Sequence, residues 1–328
     1  MRRKVTARDV AAAAGTSVAA VSRAFSAKGA IAPALRDRIL RIAADLGYQP
    51  PVARALSRLT TGTITLVAGD LDNPFYPMAA NALSQAIVAR GRRMVLHPVT
   101  PGHEVDAVME QILTFPSDAV IVTSALMSSH IARACRERHL PVVLFNRVQP
   151  DARMTAVTCD NHGGGRMVAQ RFLETGRQRI ALIGGKKNTS THLERTRGFQ
   201  DRLKEGGLEL TASLAGNYDY TASLQAARTL LTARPAPDAI FCVNDVMALA
   251  AIDAARELGL SVPDDVAIIG FDDVAMAGWA AYRLTTVRQP IARMADQALD
   301  LVEAQLADPA AEGTIRVLPV DLVLRDSG

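Results

Sequence analysis

Between residues 62 and 288, short apolar runs alternate with segments of helical periodicity, and that rhythm allows few folds. TITLVAG precedes a helix over 75–90, RRMVLHP one over 104–114, DAVIVTS one over 128–138, and PVVLFN a further strand, MTAVTC. RIALIGG, SLAGN, DAIFCVN and VAIIGFDD then alternate with helices over 190–205, 221–232 and 245–258. Strands joined through helices make parallel sheets, because parallel neighbours need a long crossover. One open sheet of ten or more strands would sit at the upper size limit, so two open parallel-sheet lobes are expected, near 63–160 and 162–288. IARMADQALDLVEAQL and TIRVLPVDLVLRDS add a helix and two strands.

Ligands in such sheets bind beyond the carboxyl ends of the strands, and polar residues stand at those ends. DLDNPFY follows the first strand, Asn146-Arg147 follows PVVLF, Asp160-Asn161 precedes a helix, Asn244-Asp245 follows AIFCV, and Asp272-Asp273 follows AIIGF. Planar amides, carboxylates and arginines of this kind satisfy the fixed hydroxyls or carboxylates of a small metabolite. For Asp245 and Asp273, helix capping is an equal alternative.

The first 60 residues are different. They hold 11 lysines and arginines against 3 acids, whereas the remainder holds 26 against 30. A local positive charge of this size suits a module that meets a polyanion. Residues 6–14 form a helix with Thr6 as N-cap, Gly15 turns the chain, and Ser17 caps a second helix, VAAVSRAF, with Val18, Val21 and Phe25 at helical spacing. A third helix runs from Pro33 to Leu46. Three short helices with a glycine turn between the first two match a helix-turn-helix, whose second helix enters the major groove. Small side chains there permit close approach, and Arg23 is the long donor.

Enzyme signatures are missing from the sequence. IGGKKN (183–188) and HGGGR (162–166) have the wrong spacing for phosphate loops, and no GxSxG or HExxH occurs. No cofactor is expected. Three separated cysteines, an N-terminus without an apolar signal core and no long apolar span suggest a reduced, cytoplasmic location away from membranes.

VTARDVAAAAGTSVAAVSRAFSAKG, followed by ILRIAADLGYQPPVARALSR, resembles the N-terminus of the LacI/GalR family of bacterial repressors. The resemblance implies an all-α helix-turn-helix head plus an α/β periplasmic-binding-protein-like body of two open parallel-sheet lobes. It divides the chain into a head (1–49), a hinge helix and linker (50–62), a first lobe (63–161 plus 291–328) and a second lobe (162–290). Three crossovers, near 160–162, 288–291 and 318–322, would join the lobes. Val18, Ala19 and Arg23 become base readers, with Ser17 and Ser22 near phosphates. In the hinge, Leu56 would wedge into the minor groove, with Ala53 at its floor and Arg54 or Arg58 at the backbone. Ala20 and Ala32 depart from the threonine and capping serine common in the family. Phe75 or Tyr76 would border the effector pocket, with Arg147, Arg197, Asn244 and Asp272 as direct contacts and Asp160 as a further candidate.

The implied protein is a homodimer that reads a pseudo-palindromic double-stranded DNA operator under control of a small-molecule effector, a sugar or sugar acid, with a purine as the alternative. A solute-binding protein shares the body, but it should carry an export signal and no basic head.

Overall fold

The computed structural model describes residues 5–25, 31–46, 48, 61–99, 105–123, 128–148, 154–309 and 312–328. The chain divides at residues 61 and 62 into a head and a body, each with its own core. Ala53, Arg54, Leu56 and Arg58 lie outside the described residues.

In the head, helices α1 (Ala7–Ala13), α2 (Val18–Ala24) and α3 (Pro33–Asp45) surround Val10, Val21, Ile39, Ala43 and Tyr48. Thr6 and Asp9 form a reciprocal cap at the start of α1, and Gly15, at φ +58°, makes the turn that L side chains resist. The Ser17 hydroxyl accepts the Ala20 amide at 3.2 Å. Ala32 offers α3 no side-chain cap, and the helix starts on Pro33 instead.

The alanines divide by role. Ala11, Ala14, Ala20 and Ala24 are buried and let the helices approach closely, whereas Ala12, Ala13 and Ala19 are exposed. Burial of Ala20 accounts for a small residue there on packing grounds. The spacing of Val18, Val21 and Phe25 suggests one apolar face, but only Val21 is buried; Val18 is 44% exposed and Phe25 packs edge-on against Tyr48 at the rim.

The body contains two six-stranded sheets. The first has the order β11-β5-β4-β3-β1-β2, built from β1 (Thr63–Gly69), β2 (Arg93–Val99), β3 (Ala119–Val122), β4 (Val142–Phe145), β5 (Thr155–Cys159) and β11 (Ile315–Leu318). The second has the order β12-β10-β9-β8-β6-β7, from β6 (Ile180–Gly184), β7 (Leu210–Ala215), β8 (Ala239–Cys242), β9 (Ala267–Asp272), β10 (Thr285–Arg288) and β12 (Asp321–Val323). All neighbours are parallel except β10 and β12. Central strands are buried throughout, which is why they read as unbroken apolar runs, while the edge strands β2 and β7 alternate or open to solvent.

Helices α4 (Phe75–Ala89), α5 (Val105–Ile112) and α6 (Ser129–Glu137) follow strands of the first sheet. Helices α7 (Asn161–Glu174), α8 (Ser190–Glu205), α9 (Tyr220–Thr232) and α10 (Asp245–Glu257) serve the second, and α11 (Ile291–Ala307) returns to pack on α4, β4 and β5. The tail corrects the expected division: β11 joins the first sheet, but β12 pairs antiparallel with β10 in the second, so residues 291–328 do not all belong to the first lobe. Among the described residues no helix is long and apolar enough to cross a membrane.

Candidate functional site

In each sheet the strand order reverses beside the first strand, between β1 and β3 and between β6 and β8. Loops on the two sides of such a reversal diverge and leave a crevice at the carboxyl ends. A cavity of the body lies there. Asn73, Phe75 and Tyr76 reach it from the turn after β1 and the start of α4, and Asn146 and Arg147 from the end of β4. The other lobe contributes Thr191 and Arg195 of α8, Tyr218 after β7, Asn244 after β8, and Asp272 at the end of β9.

The backbone around this cavity is under unusual constraint. Of eight described non-glycine residues with positive φ, six stand at or just after strand ends, Asp70, Asn146, Asn217, Tyr218, Asp272 and Asp273, and three of these, Asn146, Tyr218 and Asp272, line the cavity. Conformations this sparsely populated persist where surrounding contacts over-determine them, commonly at ligand sites.

Arg195 is the electrostatic centre. Its guanidinium lies 3.6 Å over the Phe271 ring. Its Nε donates to Asn161 Oδ1 at 2.8 Å, its Nη1 to the Val243 carbonyl at 2.6 Å, and its Nη2 pairs with Asp272 Oδ1 at 3.2 Å. Burial pushes Asp272 up to about 6, opposed by the Arg195 charge and by the Gln289 amide, which donates to it at 2.7 Å. At neutral pH the pair remains charged.

The amides supply hydrogen-bonding capacity. Asn244 caps α10 through Oδ1, which accepts from the Met247 amide at 3.1 Å, while its buried Nδ2 has no protein partner. Asn146 Oδ1 is likewise buried and unpartnered. A buried donor and a buried acceptor left open beside one cavity are costly unless a ligand or solvent answers them. The rings of Phe75 and Tyr76 meet edge to face at 5.3 Å, and burial raises the Tyr76 phenol to about 12, so it stays a hydroxyl. The Tyr218 hydroxyl is fixed between Thr189 and Thr191 at 3.0 and 3.1 Å.

Of the residues singled out in the sequence, the structure brings together Phe75, Tyr76, Arg147, Asn244 and Asp272. Arg197 is not among them. It is 61% exposed and pairs with Glu194, and the arginine facing the cavity is Arg195. Residues two apart on a helix point about 200° away from each other, so only one arginine of RTRGF can face inward. Arg195 shares its face with Thr191 and the core residue Phe199, a signal readable from the i, i+4 spacing. Asp160 is also outside the cavity; its carboxylate caps α7, accepting the Gly163 amide at 2.8 Å. Sequence reasoning missed Thr191 and Arg195 as lining residues, while Asn73 and Asn146 belong to strand-end segments it had marked.

Asp245 does not cap a helix. It is wholly buried and accepts from Thr286 Oγ1 at 2.5 Å and from the Val274 amide at 2.8 Å. Burial, aided by the charge of Asp272, pushes its carboxyl up to about 7. The folded state therefore holds this proton more tightly than the unfolded chain, and between about pH 4 and 7 stability falls as pH rises. Asp245→Asn should flatten that fall in urea unfolding measured across the window; an unchanged slope would reject Asp245 as its source.

In the head, Ser17, Val18, Ala19, Ser22 and Arg23 are all exposed on α2 or its cap. The Arg23 Nε donates to the Ala19 carbonyl at 3.3 Å. Arg36 and Arg38 instead bind the carbonyls of Ala24 and Ala14, at 3.1 and 2.7 Å, and tie α3 to the ends of α2 and α1.

Comparison with known proteins agrees with this division. Residues 6–51 match the model for bacterial regulatory proteins of the lacI family, and residues 169–328 the periplasmic binding protein-like domain. The HTH-type transcriptional regulator CelR of Thermobifida fusca is 32% identical over 337 residues, spanning 100% of this chain and 99% of CelR. The HTH-type transcriptional regulator DegA of Bacillus subtilis (strain 168) is 33% identical over 332 residues, spanning 99% and 98%. Among solved structures, the transcriptional regulator CelR-cellobiose complex superposes with a TM-score of 0.76 at 31% identity, covering 99% of this chain and 100% of that one. With both modules matched and similarity running the full length, the chain belongs to the LacI/GalR family of bacterial transcriptional regulators, which are DNA-binding proteins and not enzymes.

Proposed function

We propose that this protein is a cytoplasmic, homodimeric repressor whose grip on a pseudo-palindromic operator is set by a sugar bound in the body's cavity. Two heads related by twofold symmetry match the two halves of such an operator. Val18, Ala19 and Arg23 read base edges, Ser17 and Ser22 contact phosphates, and the hinge residues Ala53, Arg54 and Leu56 engage the minor groove. In the body, Phe75, Tyr76, Arg147, Asn244 and Asp272 contact the effector, with Arg195 in the role that sequence reasoning gave to Arg197.

The observation that carries the effector reading is the pairing of open amide atoms on Asn146 and Asn244 with a charge pair already balanced within the protein. Hydroxyls both donate and accept, so a sugar answers an open donor and an open acceptor at once. Asp272 neutralises Arg195, but Arg147 adds a second guanidinium to the lining, so charge alone does not separate a neutral sugar from a sugar acid. The cellobiose held by CelR makes neutral sugars the first class to try.

Thermal melting of the full chain with millimolar cellobiose, glucose, gluconate and hypoxanthine tests this. Saturation at about 100-fold over Kd stabilises the native state by about 2.7 kcal/mol, a rise on the order of 5 °C. A rise with a neutral sugar is expected. A rise with gluconate or hypoxanthine alone would move the assignment to an acid or a purine, and no rise with any of them would remove it.

A further inference from the structure

The chain passes between the two sheets three times: from β5 into α7, from β10 into α11, and from β11 to β12. Asn161 and Gln289 stand at the first two passages, and both are buried. Asn161 Nδ2 donates to Thr158 Oγ1 and to the Cys159 carbonyl, each at 3.1 Å, which fixes the amide to the end of β5. Its Oδ1 accepts Arg195 Nε at 2.8 Å. At the other end of the guanidinium, Asp272 Oδ1 takes both Arg195 Nη2, at 3.2 Å, and Gln289 Nε2, at 2.7 Å. An unbroken run of polar contacts thus joins the first crossover to the second through the charge pair that faces the cavity. The third crossover is tied to the first by backbone, the Asp160 amide donating to the Leu318 carbonyl at 2.7 Å.

The charge pair has little freedom to settle elsewhere. A Cβ added to Gly164 would lie 2.5 Å from the Phe271 ring beneath Arg195, one on Gly165 would lie 2.1 Å from the Arg195 carbonyl, and one on Gly198 would lie 1.9 Å from the His162 carbonyl. HGGGR therefore lets α7 and α8 touch at backbone distance and holds the arginine between ring and carboxylate. Displacing either crossover must move the pair or break a buried hydrogen bond, and the latter leaves a charged group unsatisfied.

We infer that Asn161 and Gln289 are positioning residues that couple the first two crossovers through the Arg195–Asp272 pair, so that whatever engages the pair shifts both crossovers together. The part played by a ligand rests on the effector reading above; the coupling itself belongs to the ligand-free chain.

Hydrogen exchange on the full-length protein, without DNA or sugar, tests it. Amides at Asp160, Gly163 and Gly164 report on the first crossover, and those at Ile291 and Met294 on the second. Gln289→Glu sets a carboxylate against Asp272 and should raise exchange several-fold at both crossovers, leaving β1 at its wild-type rate. Asn161→Leu should do the same from the other side, and the double variant should add nothing further. Gln289→Asn, which shortens the reach without adding charge, is the milder variant if Gln289→Glu also loosens β1, and the same two-site response is expected. Exchange confined in each variant to its own crossover would overturn the coupling. A two-site response in a protein that binds no sugar would keep the coupling and discard the effector reading.

Discussion

Arg195→Ala should lower the melting temperature of the body on the order of 10 °C and abolish its response to sugar. Removing one member of a buried ion pair typically costs about 3–5 kcal/mol, because the partner stays buried without an opposite charge. A domain of this size loses roughly 2–4 °C per kcal/mol. Arg195 answers Asp272, the Val243 carbonyl and Asn161 together, so its loss takes a donor from three buried acceptors and leaves the Asp272 charge with the Gln289 amide but no cation. Lysine at 195 cannot reproduce the fork and should recover only part of the loss. The control is Arg197→Ala: that side chain pairs with Glu194 at the surface, where such a pair is worth about 0–1 kcal/mol. Asp272→Asn with Arg195→Ala should cost less than the two single losses summed, since no charge is then left stranded. Melting of the five variants, the Asp272→Asn single included, decides the matter. Equal losses from the two arginine variants would return the site to the assignment made from RTRGF alone.

That contrast marks the boundary of what sequence can reveal. The two-lobed body was readable because strands buried on both faces must be apolar along their whole length, as AIIGF and AVIV are. Polar residues at strand ends were readable for the same reason, since they interrupt runs that burial would otherwise keep apolar. Choosing between Arg195 and Arg197 required the phase of α8, which Phe199 carries but the motif does not advertise. Asp160 and Asn244 show the same ambiguity at a helix start: both cap, and only tertiary packing turns Asn244, through its second amide atom, toward the cavity. The placement of β12 was not readable at all. Three residues, DLV, have no local property that selects the second sheet over the first, and their partner is fixed by where β10 ends. In the head, alanines that suggested close approach to DNA prove to be divided between a tight core and an exposed face.

Arg23→Ala should weaken specific operator binding by roughly 30-fold to 10⁴-fold while leaving the head folded. A bidentate arginine contact to a base edge is worth about 1–3 kcal/mol of discrimination, and a symmetric dimer loses it twice. The stability cost is small because Arg23 is exposed and its Nε bonds back along its own helix to the Ala19 carbonyl, whereas Val21, Ala20 and Ala24 hold α2 to the core. Arg38→Ala is the opposite case. Its guanidinium satisfies the Ala14 carbonyl at the end of α1, so it should lower head stability by about 1 kcal/mol and affect DNA only through folding. An operator selected from random duplex, with binding measured against nonspecific DNA over a range of salt, separates the roles. If Arg23 reads a base, its loss collapses the ratio of specific to nonspecific affinity. If it holds a phosphate instead, the ratio survives and the slope of log K against log salt falls by about 0.9 per head. Specific affinity unchanged in both respects would remove Arg23 from the interface and leave recognition to Val18, Ala19 and the hinge.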